Sequence, residues 1–318
     1  LKIKREKQMR SDHLAVIINF CSNESNFITA CIQEIQKVTK NIIVPVSDHF
    51  FDGTDENHEK LESIFASFPG VTFILYPFMP SLFPEKDKDH HLHNASRAIG
   101  MQYLPDSAQY VLFLDADEVV DGERFRSWLN EKRYLDFEFI KLSCYWYFRE
   151  PCNQATTFEA SPLLVKRSKL NKRLLMHHDE RNGIYSEGRG KKIEGTLGVN
   201  SEPMFHHYSW VRSKEEMIKK TETWSHRKDR NWSLLIKKEF EGPFSGKDFV
   251  HGYEYKTVKP FSDLKEKFSN SGRSSVKRLD IQEMIRLFKE SPLSHVNKFI
   301  KSLFKRSKKL AKKPHFRG

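Results

Sequence analysis

The chain has 318 residues, 38% of them hydrophobic with 25 Phe, and a formal net charge of +12. That apolar content excludes a disordered chain, and no run approaches the roughly 18 apolar residues that a bilayer-spanning helix needs. The charge sits at the ends: residues 298–318 hold nine Lys/Arg and no acid, and residues 1–10 hold five Lys/Arg and one Glu. The body between them is close to neutral, whereas a nucleic-acid reader carries its basic stripe on the folded domain. Nucleic acid is therefore not the expected partner. The opening "LKIKREKQMR" is not followed by the apolar stretch of a secretory leader. Cys21, Cys31, Cys144 and Cys152 form no CxxC pair, so they read as buried reduced thiols in a cytoplasmic setting.

In chain order, "HLAVIINF" (13–20) is a buried-strand run, and "NFITACIQEIQKVTK" follows with Phe27, Cys31, Ile35 and Val38 on one helical face. "NIIVPV" (41–46) is a second strand, "SDHFFDGTDEN" a turn-rich loop and "HEKLESIFASF" a helix. "VTFILY" (71–76) is a third strand. The Pro-rich "PFMPSLFPEKDKDHH" reads as a loop, with "HHLHN" as loop or helix entry rather than a metal tract. "LHNASRAIGMQYL" (92–104) is a helix, and "YVLFL" is a fourth strand. Such alternation predicts an α/β fold whose parallel sheet is covered by helices on both faces. Beyond it the sequence turns aromatic and His-rich, then helical over "SKEEMIKKTETWSHRKDRNWSLLIKKEF" (213–240).

Ligands of open parallel sheets bind past the carboxyl ends of the strands. Those ends carry "CSNES", "SDHFFDGT" and "DADE". An unpaired buried carboxylate costs several kcal/mol, roughly, so Asp115, Asp117 and Glu118 need compensation. Asp115 and Asp117, two apart at a strand end, suit Mn²⁺ or Mg²⁺ held jointly with phosphate oxygens.

Taken in order, "VIINFCSNESNFITACIQEI", "SDHFFDGT", "NASRAIGMQYLPDSAQYVLFLDADE" and "HHYSW" resemble the GT-A glycosyltransferases, the family 2-like enzymes and their lipopolysaccharide-core-type members in particular. The resemblance spans about residues 13–212. It implies a Rossmann-like GT-A sheet and metal-dependent, inverting transfer of a sugar from a nucleotide-sugar to a glycan or lipid-linked acceptor. It assigns Asn23, Glu24 and Asp48 to the nucleotide, although Ser47 stands where a first Asp is usual. Arg97 goes to phosphate, Asp115 to the nucleotide-sugar as well as the metal, and Asp117 and His207 to the metal. His207 is preferred to His206 because it opens the "HYS" pattern. The general base is Asp179 or Glu180, with Glu159 and Glu187 as reserves.

The expected organisation is a transferase domain over 13–212, a helical extension over 213–270 and a basic amphipathic tail over 271–318. In "HVNKFIKSLFKRSKKLAKK", Val296, Phe299, Ile300, Leu303, Phe304 and Leu310 fall near one helical face among Lys and Arg. That pattern predicts a helix lying on an anionic membrane surface. A haloacid-dehalogenase-type phosphatase, with Asp115 as nucleophile in "DADEV", is the enzymatic alternative. It lacks an Asp-Asp pair, and its motif would come near the first strand. A non-enzymatic nucleic-acid binder acting through the basic ends is the other alternative.

Overall fold

The computed structural model describes residues 12–86, 88–224, 226–268 and 276–289. Strand β1 (Leu14–Asn19) leads into helix α1 (Ser25–Ile35), β2 (Ile42–Ser47) into α2 (His58–Ser67), and β3 (Thr72–Tyr76) into α3 (Lys88–Gly100). Strand β4 (Tyr110–Asp115) ends on the first Asp of the acidic motif. Along β1, Leu14, Val16 and Ile18 enter the core on one face, while Ala15 and Ile17 enter the core on the other. Both faces of this strand are covered, which is why it reads as an unbroken apolar run. Helix α3 starts at Lys88, so His90, His91 and His93 are helical.

After β4 come β5 (Glu118–Val120), α4 (Gly122–Asn130), β6 (Phe139–Phe148) and β7 (Glu150–Lys166). The short α5 (Lys172–Leu175) and α6 (Glu180–Glu187) follow, then β8 (Lys192–Thr196) and β9 (Phe205–Trp210). Helices α7 (Lys214–Thr223) and α8 (Trp232–Glu239) precede β10 (Tyr255–Thr257), β11 (Val276–Arg278) and α9 (Ile281–Lys289). Among the described residues the strands join one sheet, ordered β11-β3-β2-β1-β4-β7-β6-β9-β5, with β8 beside β6 and β10 beside β7.

Strands β3, β2, β1 and β4 are parallel, as expected, and β11 adds to them in the same sense. Strand β7 is antiparallel to both β4 and β6, so the sheet as a whole is mixed. The reason is local. Only Arg149 separates β6 from β7, at a φ of 60°, and so tight a return can only make antiparallel neighbours.

Two segments sit differently from the sequence expectation. Helices α7 and α8 are separate, and Met217, Trp232 and Ile236 share a cluster with Trp146, Phe148 and Trp210 of the sheet. Helices α7 and α8 thus pack onto the ends of β6 and β9. Residues 276–289 were expected in the tail, yet β11 pairs with β3, and α9 buries Met284 and Phe288 in the core. The stretch from Val296 onward lies outside the described residues. All four cysteines are free thiols, Cys31 and Cys144 being buried. No described helix is long and apolar enough to cross a membrane.

Candidate active site

Strands β2 and β3 extend the sheet to one side of β1, and β4 to the other. This reversal opens a crevice at the carboxyl ends of β1 and β4. A cavity of about 450 Å³ fills it, lined at the strand ends by Asn19, Ser47, Tyr76, Asp115 and Asp117. Glu180 and Arg181 of α6 and Lys220 and Thr223 of α7 close over it, with Trp224 and His226 beyond.

The acidic motif is compensated by cations from distant segments. Arg181 Nη2 donates to Asp115 Oδ2 at 2.9 Å, and Arg97 Nη2 donates to Asp115 Oδ1 at 3.2 Å. Glu118 is fully buried; it accepts from the Asp115 backbone N–H at 2.9 Å and pairs with Arg181. Lys220 Nζ donates to Asp117 Oδ2 at 2.9 Å and to Glu24 Oε1 at 3.2 Å, while Arg212 pairs with Glu24. Burial would raise the Asp117 pKa, but Lys220 and the His207 hydrogen bond outweigh it and hold it below the carboxylate range. Asp115 is likewise held low against its burial by Arg181 and His93. A carboxylate clamped by two guanidinium groups is a poor nucleophile, so the phosphatase role for Asp115 gains nothing.

Strand β9 explains the choice between the two histidines. Consecutive strand residues face opposite sides. His206 turns into the core, bonds Tyr147 Oη through Nδ1 at 2.7 Å and stacks on Phe261. Burial and Arg124 push its pKa down to about 3. His207 faces the cavity with Nε2 3.5 Å from Asp117 Oδ1. Burial would lower its pKa, but the hydrogen bonds to Asp117 and Cys144 hold it well above the ordinary value.

Neighbouring ligands of one small cation, for bonds of roughly 2.1 Å, stand about 3 Å apart. The 3.5 Å between Asp117 and His207 is wider than that, and Lys220 sits on the other Asp117 oxygen, so an Mn²⁺ or Mg²⁺ ion would need the pair to draw closer. Asp115 does not converge with them. Among the described residues the set of three ligand atoms that does come together is a different one, His90, Glu180 and His226.

The two base candidates separate cleanly. Asp179 is exposed and does not line the cavity, whereas Glu180 does. Glu180 Oε2 lies 2.7 Å from His93 Nδ1, its Oε1 lies 3.1 Å from His90 Nδ1, and Arg97 stands 3.8 Å away. Burial would raise its pKa, but His93 above all, with the His90 hydrogen bond and Arg97, holds it well below the glutamate range. Its φ is 47°, a left-handed conformation costly for a residue with a side chain. Glu187 is exposed; Glu159 accepts from Tyr253 Oη at 2.9 Å, and neither lines the cavity.

Of the expected nucleotide residues, Asn23 and Glu24 line the cavity. Asn23 Nδ2 donates to Thr223 Oγ1 at 3.0 Å, tying the β1 loop to α7. Asp48 does not line it; its Oδ1 accepts from Phe78 N at 2.7 Å and meets His49 Nδ1 at 2.7 Å. Arg97 is fully buried beneath the floor, between Asp115 and Glu180, so it braces carboxylates instead of reaching the cavity.

No family model and no curated protein matches the chain. Solved structures similar to it include an active-site mutant of LgtC, 15% identical over 49% of this chain and 58% of that one, TM-score 0.28. The glycosyltransferase GlyE in Streptococcus pneumoniae TIGR4 is 13% identical over 71% of this chain and 62% of that one, TM-score 0.37. S. aureus TarS is 13% identical over 73% of each chain, TM-score 0.36. The chain thus spans less than two thirds of the LgtC and GlyE chains. Overlap of this extent does not define a family.

Arg181, Arg212 and Lys220 were not foreseen. Arg181 directly follows Glu180, and a base candidate beside a cation was the available signal. Lys220 lies in a Lys-rich amphipathic helix where nothing local sets it apart from its neighbours.

Proposed function

We propose that this chain is a GT-A-fold, family 2-like glycosyltransferase that moves a sugar, with inversion, from a nucleotide-sugar to a glycan or lipid-linked acceptor. The observation carrying this reading is one cavity at the switch point of a parallel sheet, with Asp117 and His207 on its floor and Glu180 on its wall. An acid-rich site braced by lysine and arginine suits a phosphorylated donor and a hydroxyl acceptor.

In an inverting displacement the acceptor oxygen bonds the anomeric carbon as the bond to the diphosphate breaks, and the electron pair leaves with the diphosphate. Glu180 takes the acceptor's proton. His90 and His93 fix its orientation. Asp117 and His207 would hold the Mn²⁺ or Mg²⁺ ion, which when bound neutralises the departing diphosphate. Lys220 adds a fixed positive charge beside Asp117. Asn23 borders the nucleotide, and Trp146, Trp210 and Trp224 add aromatic surface to the same cavity, on which a sugar face can pack.

The test is thermal stabilisation by a panel of nucleotide-sugars and nucleoside diphosphates, with Mn²⁺ and with chelator. Metal-linked stabilisation by a nucleoside diphosphate is expected. The absence of a shift with any nucleotide would overturn the reading.

A further inference from the structure

Beside the cavity, whose lining includes Glu180 and His226, three separate segments converge. His90 comes from the first turn of α3, Glu180 is the first residue of α6, and His226 follows α7. One ligand atom from each lies within 4.8 Å of the other two. His90 Nδ1 and Glu180 Oε1 are 3.1 Å apart, against about 3.3 Å between ligands of a tetrahedral zinc with bonds of 2.0–2.1 Å. The His226 side chain, the third candidate ligand, is half exposed.

The surroundings are those of a metal centre's outer shell. His226 Nδ1 lies 2.9 Å from Asp229 Oδ2, which favours the proton on Nδ1 and leaves Nε2 as the basic nitrogen. The second oxygen of Glu180 is held against His93. The His226 ring packs edge-on against Trp224 and His90, with centroids 5.2 Å and 5.0 Å away. Two imidazoles and one carboxylate, of which Glu180 and His226 line the cavity, form a donor set that suits zinc and its neighbours. Magnesium prefers oxygen ligands.

We propose that His90, Glu180 and His226 form a binding site for a zinc-class divalent cation, separate from Asp117 and His207. Binding there takes the Glu180 carboxylate out of proton transfer, so the cation inhibits. The inhibition rests on Glu180 being the base; the binding does not.

The experiment titrates Co²⁺, a spectroscopic stand-in for zinc, into the full chain after chelator treatment. One Co²⁺ per chain should give the intense visible absorption of a four-coordinate site, and zinc should displace it. His90→Ala and His226→Ala should each weaken binding at least tenfold, and Asp229→Asn about 10- to 100-fold. Asp117→Asn should leave that absorption in place. No such absorption, or absorption indifferent to His90→Ala and His226→Ala, overturns the site. In a transfer assay zinc should suppress turnover in the unaltered chain and less so in His226→Ala. Zinc that binds here without suppressing turnover keeps the site and removes Glu180 as the base.

Discussion

Glu180 joins three properties that seldom coincide: a left-handed backbone, a wall position in the cavity and two histidine partners. Such strain persists where surrounding contacts over-determine it. Glu180→Gln should reduce kcat about 10²- to 10⁴-fold with nucleotide-sugar affinity retained, read by steady-state kinetics beside equilibrium binding. Because the carboxyl is held below the glutamate range, the acid limb of the rate profile should fall below about pH 4, the ordinary glutamate value. Equal loss of donor binding would make Glu180 a binding residue instead. The shifted groups Asp115, Asp117 and His207 predict how stability follows pH. The carboxyls are depressed in the folded state, so their contribution is complete above the unfolded value of about 4 and is lost as pH falls through the lower folded values. His207 is raised, so its contribution is complete below about 6.5 and is lost as pH rises through its folded value. Urea midpoints in chelator should therefore peak in mildly acid solution. Asp117→Asn should flatten the alkaline limb, and an unchanged limb would show that Asp117 is not what raises His207.

The placement of Glu180 depends on how closely α6 approaches its neighbours. A Cβ at Gly183 would stand 1.9 Å from His177 Nδ1, and the His177 carbonyl accepts from Asn94 of α3 at 2.5 Å. Helix α6 is therefore pressed against the His177 turn that α3 holds. Gly183→Ala should force α6 outward, costing about 1–3 kcal/mol and lowering turnover through displacement of Glu180. Chemical denaturation and kcat together test this, and a variant with normal stability and turnover would show that the turn yields freely. Helix α7 has the matching role across the cavity, where Lys220, Arg212 just before it and Thr223 at its end bind the β1 loop and Asp117.

In the whole molecule the cavity has two walls of different origin, the parallel sheet's strand ends and the segment packed across them. Because α9 closes the core with Met284 and Phe288, the shortened chain should keep residues to 294 and lose 295–318, which carry nine Lys/Arg and no acid. We expect this chain to fold and to lose most of its binding to anionic vesicles, each basic residue near such a surface contributing about 1 kcal/mol. Binding by the intact chain should weaken with salt, measured by vesicle co-sedimentation. Equal binding by both chains would rule out a membrane role, and salt-sensitive binding to DNA alone would point to nucleic acid.

The strand–helix units through β4 and the acidic motif at a strand end were legible in the sequence, because each depends on local periodicity; the preference for His207 came from the "HYS" resemblance instead. A period of two assigns strand faces, and apolar runs mark buried strands whatever lies beside them. The antiparallel entry of β7 hangs on one residue, Arg149, that no periodicity singles out. Asp179 and Glu180 are adjacent, and only the docking of α6 against α3 puts one in the cavity and the other in solvent. Asp117 meets Lys220 across 103 positions of sequence. Local pattern assigns a residue to a face of its own strand or helix; which distant charge meets it there depends on how those elements pack, and that packing is fixed by the core as a whole.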